Sequence, residues 1–140
     1  MRVDYATINP QAIQHLATTR TLLTALPQPL LALAELRASQ INGCAYCLGL
    51  HGAEARSAGF SAAQLDMLPA WREAPGFDAR ARAVLAWTEA LTRVTEGHVP
   101  DAVFNQVREA LSEAELVDLT LAVATINALN RVAISLRKRP

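Results

Sequence analysis

Cysteine is nearly absent from this 140-residue chain, with two residues in all, Cys44 and Cys47. Secreted scaffolds held by disulfides carry more cysteines, spread along the chain, so that class is excluded. Surplus charge is also absent. Thirteen basic and thirteen acidic side chains cancel, and a phosphate-binding surface needs an excess of Lys and Arg, so no nucleic-acid partner is expected. No uninterrupted run of eighteen apolar residues occurs, so no membrane span is expected. The opening stretch MRVDYATINP lacks the apolar core of an export signal, and the expected location is cytoplasmic. Aromatics are only 5% of the residues. No stretch alternates apolar and polar residues long enough for a strand, and neither internal repeats nor a domain linker is evident.

What the chain has is helix-forming apolar residues. Ala (27) and Leu (20) make up a third of it, and 51% of all residues are hydrophobic. Disorder is thereby excluded, and Ala and Leu favour helix. The expected fold is all-α, a single compact domain over residues 1–140 with about six to seven helices. Asn9-Pro10 opens the first helix, which runs to about Leu23. A second covers about Gln28 to Ile41 and stops at Asn42-Gly43. A third runs from about Cys44 to Ala58. Ser61 and Gln64 form a capping box for a short fourth helix. A loop with one helical turn near Trp71 spans 68–77. Asp78 caps a long helix to about Thr95, and Pro100 starts another to about Ala110. Ser112 and Glu115 form a second capping box, opening a last helix to about Arg137.

On a helix over 44–58, Cys44, Cys47, Leu48, His51, Ala55 and Ala58 fall on one stripe. Both sulfurs and the imidazole then share a face at a helix N-terminus. Free backbone N–H groups and the helix dipole favour a thiolate there. His51, four residues after Cys47, is in reach of its sulfur as a proton acceptor or ion-pair partner. The competing accounts are two small core cysteines with a structural His, and a zinc site. C-x2-C-x3-H offers three ligands where a structural zinc wants four, and His15 and His98 stand in no metal-like spacing, so neither a metal nor another cofactor is expected.

On the preceding helix, Ala32, Glu35, Ser39 and Asn42 form a small polar stripe. Because the chain reverses at Asn42-Gly43, Glu35 can face His51 and relay a proton. The alternative is a solvated Glu35 paired with Arg20 or Arg37. In the last helix Val123, Asn127, Asn130 and Ile134 share a seam. Two asparagines in an apolar seam either fix register or oligomeric state or face solvent. Arg131 beside them is a candidate partner for Glu89 or Glu54.

The stretch ELRASQINGCAYCLGLHGAEARSAG resembles the core motif of the AhpD-like alkylhydroperoxidases of the carboxymuconolactone decarboxylase superfamily. ARAVLAWTEALT and INALNRVAISLR resemble downstream segments of the same family, so the resemblance spans about Gln28 to Arg137. It implies an all-α homo-oligomer, a trimer or hexamer, that reduces a hydroperoxide substrate with paired cysteines and is recharged by an external dithiol reductant. Matched to that pattern, Cys47 is the peroxide-attacking cysteine, Cys44 the resolving cysteine and His51 the relay histidine. The family's relay Glu usually stands twelve residues before the first cysteine, where this chain has Ala32. Glu35 lies about 4.5 Å further along a helix axis as its candidate replacement. Carboxymuconolactone decarboxylases proper generally lack the cysteine pair, so the resemblance disfavours decarboxylation. The other readings of the dithiol are a general disulfide oxidoreductase or redox sensor, and a helical interaction protein with inert cysteines.

Overall fold

The computed structural model describes residues 1–140, and it contains only helices, turns and loops. Nine α-helical segments form: α1 (Tyr5–Ile8), α2 (Pro10–Thr18), α3 (Gln28–Asn42), α4 (Ala45–Ser57), α5 (Ala62–Asp66), α6 (Ala79–Thr92), α7 (Val94–Gly97), α8 (Asp101–Ala110) and α9 (Glu113–Ser135). The count exceeds the expected six to seven because α1 and α7 are single four-residue turns. The first helix also changes character, tightening from α to 3-10 over Thr19–Leu22. The long sixth helix ends at Thr92 rather than Thr95.

Local chemistry sets the boundaries. The Asn9 side chain accepts from the Ala12 N–H at the start of α2, with Pro10 at the first position. Asp78 accepts from Ala81 N–H (2.8 Å) to start α6. Complete capping boxes, Ser61 with Gln64 and Ser112 with Glu115, open α5 and α9, each satisfying two orphan N–H groups. Gly43 stops α3 at φ 69°, a left-handed conformation that glycine adopts without steric cost.

Helix α3 lies at the centre, packed against α4, α6 and α9. Nine consecutive residues, Leu31 to Ser39, are buried, so the middle of this helix has no solvent face. That explains why Glu35 and Arg37, charged residues in the middle of it, need partners from other elements. Two apolar clusters flank it. One joins Leu31 and Ala34 to Val84, Trp87, Leu116, Leu119 and Val123. The other joins Ala32, Leu33 and Leu36 to Ala55, Leu68, Trp71, Phe77 and Leu85. Arg37 donates from Nε and Nη2 to Glu89 Oε1 (2.9 and 2.7 Å), which also accepts from the Trp71 indole (2.9 Å). This buried pair ties α3 to α6.

Helix α9 holds an 18-residue window of mean hydropathy 1.3, enough by length and composition to cross a membrane. Counting uninterrupted apolar residues overlooks this. In the fold, its Leu116, Leu119, Ala122 and Val123 belong to the cluster shared with α3 and α6. The seam asparagines do not face solvent, and their partners lie within the same chain. Asn42 donates from Nδ2 to Asn127 Oδ1 (3.0 Å) and Asn130 Oδ1 (2.8 Å). Asn130, fully buried, donates in turn to Ser39 Oγ (3.1 Å). Arg131 reaches neither Glu89 nor Glu54; it donates to the Asn127 carbonyl and side chain. The network fixes α9 against the C-terminal end of α3, immediately before the cysteine pair.

Candidate active site

Cys44 is the N-cap of α4, and its sulfur accepts from the Cys47 N–H (3.4 Å). Its own N–H donates to the Ser39 carbonyl (3.1 Å) across the Gly43 turn. The two sulfurs form a Cys44–Cys47 disulfide with the Cα atoms 5.3 Å apart. Both cysteines are buried, beside Ala133 of α9. One turn further along α4, His51 is buried too. The stripe read from the sequence therefore exists, with Cys44 standing just outside the helix rather than in its first turn.

Glu35 is not a solvated residue. It is 5% exposed, and its Oε2 lies 3.5 Å from His51 Nδ1. Ala32, one turn earlier, is fully buried among apolar residues that include Ala55 of α4. Glu35, one turn further along α3, is the carboxylate of this helix that faces the histidine. Arg37, one of its two suggested partners, belongs to Glu89; the other, Arg20, does reach it, Nη2 to Oε2 at 3.1 Å.

Glu54 completes the cluster, and sequence reasoning missed its place there. His51 Nδ1 lies 2.9 Å from Glu54 Oε2, and Arg20 Nη1 donates to Glu54 Oε1 (2.8 Å). The available signal was its position three residues after His51 on one helix face. Arg20, in the turn after α2, comes from a segment that no local spacing connects to α4.

The electrostatics separate the two carboxyls. Burial pushes Glu35 up to about 7, with the Arg20 charge opposing and Glu54 adding to the rise. Burial also acts to raise Glu54, but hydrogen bonds from Arg20 and His51 outweigh it and hold the group below the usual carboxylate range. Burial lowers His51, against the pull of Glu54. Glu35, His51 and Glu54 bring three possible ligand atoms within 4.8 Å of one another. The Arg20 guanidinium already pairs with both carboxylates, so the protein itself supplies the positive charge there.

A cavity of about 190 Å³ opens beside this cluster. Ten of its fourteen lining residues are hydrophobic, so it favours an apolar ligand over a strongly solvated one. Tyr5, Ile13 and Ala17 of α1 and α2 cover it, while Ile126, Leu129 and Val132 of α9 form one wall. Cys47, His51, Glu35 and Arg20 line it, and Cys44 does not.

Comparison with known proteins places this geometry. The model of the Carboxymuconolactone decarboxylase family matches residues 10–90, which include the whole cluster. The chain belongs to that family. It is 31% identical to the uncharacterized protein YdfG of Bacillus subtilis (strain 168), over 99% of this chain and 95% of that protein. A crystal structure of an Agrobacterium tumefaciens protein of unknown function, for which an antioxidant defence role of the AhpD kind has been suggested, superposes with a TM-score of 0.93. Its identity is 34%, covering 99% of this chain and 97% of that one. An uncharacterized peroxidase-related protein from Silicibacter sp. TM1040 gives 0.78 at 26% identity, over 90% of this chain and 66% of that one. The fold is AhpD-like and all-α over its full length.

Proposed function

We propose that this family member is a thiol-dependent peroxidase that reduces organic hydroperoxides through the Cys44–Cys47 pair. The observation that carries the reading is the cavity: mainly apolar, and lined by Cys47, His51 and Glu35. In the proposed cycle His51 takes the Cys47 proton. The thiolate attacks the terminal peroxide oxygen, an S–O bond forms, the O–O bond breaks, and the leaving alkoxide receives the proton from His51 as alcohol. Cys47 is then a sulfenic acid. The Cys44 sulfur displaces water from it, giving the disulfide. An external dithiol is oxidised to its own disulfide as it restores both thiols. Glu35 stands behind His51 as the proton store of the relay. No cofactor or metal enters the cycle, and a compartment that keeps dithiols reduced, such as the cytoplasm, suits it.

Mass spectrometry of the reduced protein after one equivalent of cumene hydroperoxide tests this. The expected result is loss of both free thiols, formation of the disulfide and one equivalent of alcohol. Intact peroxide beside two intact thiols would overturn it. The alternative, a general disulfide oxidoreductase or redox sensor, predicts faster turnover of a model disulfide than of peroxide.

The family resemblance also supports self-association, as a trimer or hexamer. Leu22, Leu50, Val117, Leu121 and Ile134 are exposed large apolar side chains, and an oligomer would cover part of that surface. Leu50 lies on α4, so this helix is the proposed element nearest a subunit contact. Light scattering at micromolar concentration should give a multiple of 15.1 kDa; the mass of one chain would overturn the assembly.

A further inference from the structure

Two carboxylates converge on one imidazole nitrogen, and they are not equivalent. Glu54 accepts on both oxygens: Oε2 faces His51 Nδ1 at 2.9 Å, and Oε1 takes the Arg20 hydrogen bond at 2.8 Å. Glu35 Oε2 lies further from Nδ1, at 3.5 Å. It touches the Arg20 charge, yet it is buried without any hydrogen-bond partner. An ionised carboxylate can only accept. A Glu54 anion therefore requires the proton of the neutral ring to sit on Nδ1, which leaves Nε2 as the bare nitrogen.

We propose that Glu54, clamped by Arg20, is the positioning residue that holds His51 in the Nδ1–H tautomer, so that Nε2 is the basic nitrogen for the cavity that Cys47 lines. The division of labour follows: Glu54 orients the ring as a fixed anion, and Glu35 is the carboxyl that changes protonation. Their opposite displacements from the ordinary carboxylate range agree with that assignment. The remaining groups around the ring do not compete. From α1 comes Tyr5, whose phenol burial pushes up, so it stays neutral. From α4 come Tyr46 and the cysteines. From α9 come only Thr125, Ile126, Leu129, Val132 and Ala133, none of them charged. Arg20 is the one Lys or Arg in the cavity lining, and it arrives on the segment that covers the cavity. Neither α1 nor α2 has a buried residue, so the cover and the charge clamp are held to the body partly by the same ion pairs.

This inference rests on the reading of His51 as the base beside the reacting thiol, but its test does not. Nitrogen-15 spectra of histidine-labelled full-length protein, with His15 and His98 replaced by glutamine, report His51 alone. Near neutral pH a protonated Nδ1 and an unprotonated Nε2 are expected. Glu54→Gln, near in shape and able to donate or accept, should mix the tautomers and slow peroxide turnover by roughly a hundredfold. Arg20→Gln should mix them as well, and Arg20→Lys should restore the single form. An Nε2–H ring in the parent protein would overturn the proposal, as would a Glu54→Gln variant with the parent's tautomer and pH profile. A parent protein with the expected tautomer but no peroxide turnover would instead overturn the peroxidase reading.

Discussion

Cys47→Ser is expected to lose all reaction with hydroperoxide, whereas Cys44→Ser should react once and stop with a sulfenic acid on Cys47. The two sulfurs are three residues apart and bonded to each other, yet their surroundings differ. Cys47 lines the cavity together with His51, one turn below it. Cys44 lies outside that lining, at the N-cap of α4. A peroxide entering the cavity therefore meets only one sulfur. Without Cys44 the sulfenic acid has no thiol to condense with, because the chain holds no third cysteine. A dimedone-type probe should label Cys47 in the Cys44→Ser protein after peroxide, and label nothing in Cys47→Ser. Labelling of Cys44 in the latter would reverse the order of attack. Circular dichroism should show both variants folded, since a serine hydroxyl takes up no more room than the thiol and can still cap α4.

The same contrast between local and distant determinants runs through the whole chain. Helix starts and stops were legible because capping chemistry is local. Asn9-Pro10, Ser61 with Gln64, Asp78, and Ser112 with Glu115 each mark a boundary within a few residues. The face shared by Cys47 and His51 follows from helical period alone. The two single-turn helices were not legible, because four residues carry no periodicity. The depth of Glu35 was not legible either. A polar stripe on α3 reads equally as a solvated face, and only the packing of three helices around α3 makes it buried. Glu54 and Arg20 were hidden in different ways. Glu54 looks like an ordinary surface glutamate on α4 until Arg20 is brought across from 34 residues earlier. The seam asparagines announced a polar contact, but not that its partners would be Ser39 and Asn42 of the same chain.

Glu35→Gln should slow peroxide turnover by roughly ten- to a thousandfold while making the protein more stable above neutral pH. The activity loss follows from where the relay keeps its proton. With the carboxyl raised to about 7 and the histidine lowered below its ordinary value, the resting proton sits on Glu35, beside the ring. Glutamine cannot hold that proton. The stability gain follows from the same burial. The folded carboxyl titrates at about 7 and the unfolded one near 4.5. Between those values the folded state holds a proton that the unfolded state has lost, so stability falls as pH rises through the window and stays reduced above it. The Arg20 contact is already included in that raised value, so burial outweighs the ion pair at this position. The accumulated penalty is on the order of 3 kcal/mol, and a neutral amide escapes it. His51 and Glu54 act with the opposite sign. Both are lowered in the folded state, so their contributions are lost as pH falls. They are present in parent and variant alike, so the difference between the two proteins reports Glu35 together with its coupling to Arg20 and Glu54. Urea unfolding at about pH 5 and about pH 8 should show the variant's relative stability rising between the two. An equal loss at both would mean that Glu35 is held as an anion by Arg20, and an unchanged turnover would leave His51 exchanging its proton with water alone.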